Sequence, residues 1–554
     1  MRESVSIALA GSGGAGVMTA GNMLLEAAAA AGYYGLMTRT SGPQIRGGEA
    51  AAMLRIATFP TDAQADGFEV LAAIDWQNVG RFAAELPLGP QSLLVGDPAQ
   101  GEPPEIFTRT GARYLPLPLK ELSAKIPGAW PNMVALGALA ALIGLPLEAL
   151  EAAARKSMKK GLEPGLAALR AGFASSLPKD FVLENSKTNG ARWLISGNEA
   201  AGYGALRGGV RFVAAYPITP ATELLEWLAP ALTKVGGTLV QAEDELASIN
   251  MALGASYGGV PALTATSGPG LSLMIESLGL GVAAELPVVV VDVMRTGPST
   301  GIATKSEQAD LNLALYGMHG DAPHVVVAPN SVEDCIAATQ WAVGLAESLQ
   351  VPAIVLSDQY FGQARAIVDK PLLEERSFPR VKANGEAPYK RYAVTPSGVS
   401  PMAIPGTAGC TYTADGLEHN ERGTPSSQAA DHLAQMDKRA RKLSQLDPGD
   451  AWASIEGEGD VAVITFGSCT APVREAIAKH KNIKLVSLRL LSPAQPARLK
   501  AALEGVKRVL VVEQNHGGQL LRYLRAEYGL PGEVKSLRRP GPLPFRPAEI
   551  LAAL

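Results

Sequence analysis

The chain has 554 residues, too many for one hydrophobic core, and at roughly 150 residues per domain it is expected to fold as three or four domains. Its hydrophobic content of 47%, its formal net charge of −4 and the absence of a basic block exclude nucleic acid and an anionic membrane surface as expected partners. No apolar run reaches the ~18 residues a membrane span needs, and the N-terminus carries no signal-peptide pattern, so the expected location is the cytoplasm. The three cysteines, Cys335, Cys410 and Cys469, are far apart and form no CxxC, so they cannot supply the four thiolates of an iron–sulfur cluster.

The predicted elements alternate strands and helices, the pattern of an α/β protein. The first segment, residues 1–185, opens with a strand over Val5–Ala10. Gly11, Gly13 and Gly16 then form GxGxxG ahead of a helix whose apolar face carries Val17, Leu24 and Leu25. A turn of this kind suits an anion held on backbone N–H groups at a helix N-terminus, and it equally suits a tight turn kept for packing. The next strand, near "YYGLMTRTSG", ends without the acid that would hold a ribose hydroxyl, which counts against a dinucleotide. "TSGPQIRGGEAAAML" follows, a glycine-rich loop that either presents Arg46 to a carboxylate or phosphate or leaves it solvated.

In the second segment, 186–375, the runs "RFVAAY", "GTLVQA", "PALTAT", "PVVVVDVM", "HVVVA" and "PAIVLSD" read as strands of a parallel sheet covered on both faces. Residues 376–455 are irregular apart from a helix in "SQAADHLAQMDKRARKLSQL", and are expected to wrap another domain or subunit. From 456 to 554, "DVAVITFG", "KLVSLRLL" and "KRVLVVEQN" predict a third α/β domain.

Four stretches of the second segment bear chemistry. In "AAYPITPATELLEW", Pro217 and Pro220 stiffen Tyr216–Thr219 into an extended corner, with Thr219 as the expected N-cap of the next helix. "QAEDELASINMALGASYGG" sets Glu243, Asp244 and Glu245 where a strand gives way to a helix, whose apolar face is expected to carry Leu246, Ile249, Leu253 and Tyr257. The helix macrodipole by itself favours acid there by about 0.3–1 kcal/mol. "TATSGPGLSLMIES" provides a turn with Ser267, Gly268 and Gly270 that lets backbone approach a ligand, and "VVVVDVMRTGPSTGIATKSEQADL" leads from a strand into Arg295, with Lys305 beyond it. All four leave the carboxyl ends of predicted parallel strands and so should converge on one rim.

The order YPITP, ED-E, TSGPG, MRTGPSTG and TKSEQ-DL resembles the α subunits of thiamine-diphosphate-dependent 2-oxoacid:ferredoxin oxidoreductases, in the form where a γ-type domain with GSGGAG and SGPQIRGGE precedes α. The resemblance implies three parallel-sheet α/β domains: a Rossmann-like γ-type domain, a thiamine-pyrimidine-binding domain and a C-terminal transketolase-C-like domain. It implies that Glu245 opposes N1′ of the cofactor's aminopyrimidine, general acid–base help that contributes ~10²–10⁴-fold. Pro217, Ile218, Ser267 and Gly268 become further cofactor contacts, and Thr219 and Arg295 the pair that holds the substrate carboxylate. A second carboxylate would fall to Arg46 or Lys305, and the PSTG and TKSEQ wording favours 2-oxoglutarate over pyruvate, branched-chain or indolepyruvate substrates. Coenzyme A is the implied acyl acceptor, with Gly13 and Gly16 as candidate pyrophosphate contacts. The chain lacks a GDG motif with a downstream Asn pair, so a β subunit is expected to bring the diphosphate site, Mg²⁺ and a [4Fe-4S] cluster, in a dimer of heterodimers that passes electrons to ferredoxin. A reading of another class, a non-catalytic nucleotide- or coenzyme A-binding module, accounts for GSGGAG but leaves Thr219, Glu245 and Arg295 without purpose.

Overall fold

The computed structural model describes residues 1–42, 48–175, 177–186, 192–302, 304–371, 378–385 and 388–554. They form two compact units. Twenty strands are numbered below in chain order.

The first unit comprises Met1–Ser196, the strand Arg365–Asp369 and Phe545–Glu549. Its sheet contains β1 (Ser4–Gly11), β2 (Tyr34–Ser41), β3 (Ala50–Ala57), β4 (Val70–Ala73), β5 (Leu93–Gly96), β6 (Arg113–Pro116), β7 (Arg192–Ser196) and β14 (Arg365–Asp369), in the order β6-β5-β4-β1-β3-β2-β14-β7. β1 runs parallel to β4, as β4 does to β5 and β5 to β6, whereas β3 is antiparallel to both β1 and β2, and β14 to both β2 and β7. The expected parallel Rossmann-like sheet is therefore corrected to a mixed one. The reason is connection length: residues 42–49 suffice for a hairpin between β2 and β3, while a parallel return needs a crossover of about a dozen residues or more. The first helix, Val17–Ala30, buries Val17, Met23, Leu24 and Leu25 on this sheet. The helix Pro131–Ile143 is apolar almost all round and buried on nearly every side, as such a pattern requires.

The second unit holds two sheets. One contains β8 (Phe212–Ala215), β9 (Thr238–Gln241), β10 (Ala262–Thr266), β11 (Val288–Met294), β12 (Val325–Val327), β13 (Pro352–Asp358) and β18 (Leu490–Ser492), ordered β18-β12-β13-β11-β10-β8-β9. All pairs are parallel except β12 with β18. β10, β11 and β13 are buried at every position, the mark of strands covered by helices on both faces. The other sheet orders β15 (Ala453–Glu456), β17 (Ile483–Leu488), β16 (Val461–Phe466), β19 (Arg508–Glu513) and β20 (Glu533–Arg538), with only β15 antiparallel. The stretch "KLVSLRLL" thus divides: β17 stays in this sheet and β18 joins the edge of the other.

The irregular segment ahead of β15 is fastened by charge. Lys438 and Lys442, one turn apart on the helix Ala429–Ser444, both pair with the buried carboxylate of Glu285, Lys442 at 2.6 Å, and Arg391 donates to the Glu285 carbonyl at 2.8 Å. Burial alone would raise the Glu285 carboxyl, but Lys442, Lys438 and Arg391 together hold it down at about 2. The two ammonium groups share one carboxylate, and burial draws both below the usual lysine range, helped by Arg391 and Arg439 at Lys438 and by Lys438 and Arg391 at Lys442, which falls to about 7.

Candidate functional site

β11, β10, β8 and β9 lie side by side, so the loops at their carboxyl ends form one rim. After β8 the chain turns through Tyr216–Pro220. The Ile218 carbonyl accepts from Ala221 N at 2.8 Å and Thr222 N at 3.0 Å, and Asn198 Nδ2 donates to the Pro220 carbonyl at 2.9 Å. The helix begins at Thr222 with Ala221 at the cap position, so Thr219 is not the N-cap the sequence suggests: it stands two residues too early, exposed at the tip of the corner. Its carbonyl, rather than its hydroxyl, is engaged, by Arg295 Nη1 at 2.8 Å. Pro217 and Ile218 form the partly buried wall of the same corner.

The acidic triplet after β9 divides its labour. Glu243 is exposed, and Asp244 caps the helix Glu245–Tyr257 by accepting from Ala247 N at 2.7 Å. That cap satisfies the first turn and releases Glu245, which is only 8% exposed. Glu245 faces the TSGPG turn: a Cβ added to Gly270 would stand 2.8 Å from Glu245 Oε1 and 2.0 Å from Thr266 Oγ1, so no side chain fits there. Beside it the Ser267 hydroxyl is buried without a hydrogen-bond partner among the described residues, and a Cβ on Gly268 would fall 2.6 Å from both carboxyl oxygens of Asp310. On the helix, Ile249 and Leu253 are buried as expected and Tyr257 partly so, but Leu246 is 49% exposed.

Arg295, following β11, is nearly buried, and burial lowers its pKa from the ordinary value against the opposing pull of Asp310. One nitrogen is committed to the Thr219 carbonyl, and Nε has no partner among the described residues. This buried guanidinium keeps hydrogen-bonding capacity that no described residue uses, which suits a carboxylate. Lys305 is partly buried in the same loop; its carbonyl accepts from Thr296 N at 2.9 Å, while Thr296 Oγ1 is laced to Ile302 N and O at 2.7 and 2.9 Å. Arg46 lies outside the described residues.

Sequence reasoning missed the groups that set this loop in place. Gln308 N donates to the Gln514 carbonyl at 2.8 Å, Gln514 N returns a bond to Gln308 Oε1 at 2.9 Å, Gln308 Nε2 donates to the Phe466 carbonyl at 2.8 Å, and Asn515 Nδ2 donates to the Gln308 carbonyl at 3.2 Å. The "EQNHGG" run after β19 therefore serves the rim. Asp292, wholly buried in β11, and Asp310 also went unnoticed; an acid inside a run of valines was the available signal.

In the first unit, the GSGGAG turn has a carboxylate of its own. Asp75 accepts from Ser12 N at 3.1 and 3.0 Å, from Ser12 Oγ at 2.7 Å and from Gln77 N at 3.1 Å. Gly13 remains on the exposed tip, and Gly16, at φ 83°, opens the first helix beneath Asn132, whose Nδ2 donates to the Gly16 carbonyl at 3.3 Å. Among the described residues no cluster of His, Cys, Asp and Glu is arranged to hold a metal, and no helix is long and apolar enough to cross a membrane.

Comparison with known proteins defines the class. The family model for "Pyruvate flavodoxin/ferredoxin oxidoreductase, thiamine diP-bdg" matches residues 203–438, and that for "Pyruvate ferredoxin/flavodoxin oxidoreductase" matches residues 6–175. The chain is 30% identical over 604 residues to subunit alpha of 2-oxoacid:ferredoxin oxidoreductase 2 from Aeropyrum pernix, covering 94% of this chain and 93% of that one. It is 32% identical over 580 residues to the 2-oxoglutarate oxidoreductase subunit KorA of Mycobacterium tuberculosis, covering 95% and 87% of the two. Among solved structures, the 2-oxoglutarate:ferredoxin oxidoreductase from Magnetococcus marinus, with 2-oxoglutarate, coenzyme A and succinyl-CoA bound, superposes with a TM-score of 0.91 at 36% identity, covering 100% and 99%. The chain belongs to the 2-oxoacid:ferredoxin oxidoreductases, thiamine-diphosphate-dependent enzymes, as an alpha subunit.

The rim suits that cofactor. A carboxylate nearly out of water and pressed against bare glycine backbone calls for a donor, which an aminopyrimidine ring provides, and the orphaned Ser267 hydroxyl adjoins it.

Proposed function

We propose that the chain is the alpha subunit of a 2-oxoglutarate:ferredoxin oxidoreductase, which converts 2-oxoglutarate and coenzyme A to succinyl-CoA and CO₂ with electrons passed to ferredoxin, or runs the reverse carboxylation. The observation that carries the proposal is the buried Arg295 guanidinium, tied by one nitrogen to the Thr219 carbonyl and without a partner at Nε among the described residues. The choice of 2-oxoglutarate is supported by the KorA relatives and by the ligands of the Magnetococcus marinus enzyme.

Bound thiamine diphosphate supplies the electron sink that a 2-oxoacid needs to lose CO₂. This chain's residues do the rest of the rim's work. Glu245 holds a proton between its carboxylate and the ring nitrogen opposite it, while Pro217, Ile218, Ser267 and Gly268 shape the ring's seat. Arg295 pairs with the 1-carboxylate, and Thr219 offers its exposed hydroxyl beside it. The distal carboxylate falls to Lys305 or Arg46. Gly13 and Gly16 remain the candidate pyrophosphate contacts for coenzyme A, through the amides that Asp75 leaves free.

A β subunit carrying the diphosphate site, Mg²⁺ and a [4Fe-4S] cluster completes the site, in a cytoplasmic dimer of heterodimers. Support comes from the rim itself: Tyr216 after β8, Leu246 after β9, Leu273 after β10 and Ile302 after β11 are each 41–49% exposed. Exposed large apolar side chains in the segments that follow four adjacent strands are what a partner would cover. Family membership sets aside the reading of a non-catalytic binding module. The test is reconstitution with the partner subunit and assay of viologen reduction with several 2-oxoacids plus coenzyme A. Fastest turnover is expected with 2-oxoglutarate, and activity confined to pyruvate overturns the substrate assignment.

A further inference from the structure

Two buried carboxyl groups, one of which acts electrostatically on Arg295, have no part in the function described above. Asp292 is wholly buried in β11, and Asp310 precedes the short helix Leu311–Tyr316 with its Oδ2 out of reach of solvent. Among the described residues, no donor reaches either oxygen of Asp292 or Oδ2 of Asp310, yet the two carboxyl groups lie within hydrogen-bonding reach of each other. Carboxylates only accept, so this contact exists only when the pair shares a proton. Asp310 also presses on the Gly268 backbone, with both oxygens 2.6 Å from where a Cβ would stand, and its charge acts on Arg295.

With one shared proton the pair carries a single negative charge, which balances the Arg295 guanidinium. When an anionic carboxylate pairs with Arg295, the same dry volume holds two negative charges against one positive. A second proton on the pair restores the balance. We infer that Asp310, paired with Asp292, is a positioning residue for Arg295, and that the pair takes up one proton from solvent when a 2-oxoacid carboxylate binds there. The inference rests on Arg295 as the carboxylate anchor. Among the described residues, the charged and titratable groups acting on the pair are Arg295 and Glu307, with His516 acting on Glu307 from beyond β19. Burial first, and Glu307 second, push Asp310 up to about 7 against the pull of Arg295, while burial and then Asp310 raise Asp292 well above the carboxylate range. The group is thus placed to exchange a proton near neutrality.

The test uses the assembled complex, without coenzyme A, and whichever 2-oxoacid it turns over. Binding is followed by calorimetry at about pH 7.5 in two buffers of different ionisation enthalpy, for wild type and Asp310→Asn. Uptake approaching one proton is expected in wild type and close to none in Asp310→Asn. In the wild type KM is expected to rise with pH above neutrality by up to about tenfold per unit, the limit for one linked proton, and to be flat in Asp310→Asn. Wild-type uptake retained in Asp310→Asn, or no uptake in wild type, overturns the inference. If Arg295→Ala binds the 2-oxoacid as tightly as wild type, the anchor itself is wrong; loss of affinity there with uptake retained in Asp310→Asn refutes the pair alone.

Discussion

Glu245→Gln separates what the carboxylate does for chemistry from what it does for packing. The substitution is isosteric, so the fit against Gly270, where Oε1 stands 2.8 Å from the place of an absent Cβ, is preserved. What goes is the ability to hold a proton opposite the ring nitrogen. General acid–base help of ~10²–10⁴-fold corresponds to about 2.7–5.4 kcal/mol of transition-state stabilisation. Turnover in the reconstituted complex, followed by viologen reduction at saturating 2-oxoacid and coenzyme A, is expected to fall by that factor. KM for the 2-oxoacid stays within about threefold, because Arg295 is untouched. The isolated alpha subunit provides an independent readout: replacing a nearly buried carboxylate by a neutral amide removes a desolvation cost, so its unfolding midpoint is expected to hold or rise. Turnover at the wild-type level refutes the acid–base assignment. A fall in turnover accompanied by a lower unfolding midpoint refutes the separation of roles, since the loss is then structural.

Arg295→Ala removes charge-assisted hydrogen bonds worth about 1.5–3 kcal/mol and is expected to raise KM for the 2-oxoacid about 10- to 100-fold, with the smaller effect on kcat, in the same viologen assay. Gly270→Ala forces a Cβ to within 2.0 Å of Thr266 Oγ1 and is expected to displace Glu245, lowering turnover at least as far as Glu245→Gln; an active Gly270→Ala enzyme contradicts the close fit. Glu285→Gln strands Lys438 and Lys442 in the interior and is expected to destabilise the second unit by about 3–5 kcal/mol, measured by denaturant unfolding. Because the Glu285 carboxyl is held at about 2, below its ordinary value of 4.5, its contribution is complete above about pH 4.5 and is lost as pH falls toward 2. Glu285→Gln should accordingly flatten that part of the acid-unfolding curve.

The central strands of the second unit, β10, β11, β13, β16 and β19 among them, were legible as apolar runs, because parallel strands under helices have no polar face to blur the pattern. Once they were placed, the convergence of Thr219, Glu245, Gly268 and Arg295 followed from the rule that loops gather at carboxyl ends. What escaped was pairing at a distance. Nothing local in "ARAIVD" tells that β14 completes the first sheet between β2 and β7, or that Leu490–Ser492 leaves the strand before it for the edge of another sheet. Thr219 was misplaced as a cap by two residues, the usual uncertainty of helix ends. Asp292 and Asp310 sit 18 residues apart, and only the folded chain brings their carboxyl groups together.

The four hydrogen bonds around Gln308 also bear on engineering. Residues 453–544 contain none of the rim's candidate side chains, so they look exchangeable for the corresponding stretch of a relative. Yet the backbone of Phe466 and Gln514 and the amide of Asn515 act as a template against which the loop carrying Lys305 and Asp310 is cast. A chimera joined ahead of that stretch would therefore import a donor's loop geometry along with its sheet, and with it a shifted preference among oxoacids, without a single change to a residue that touches one.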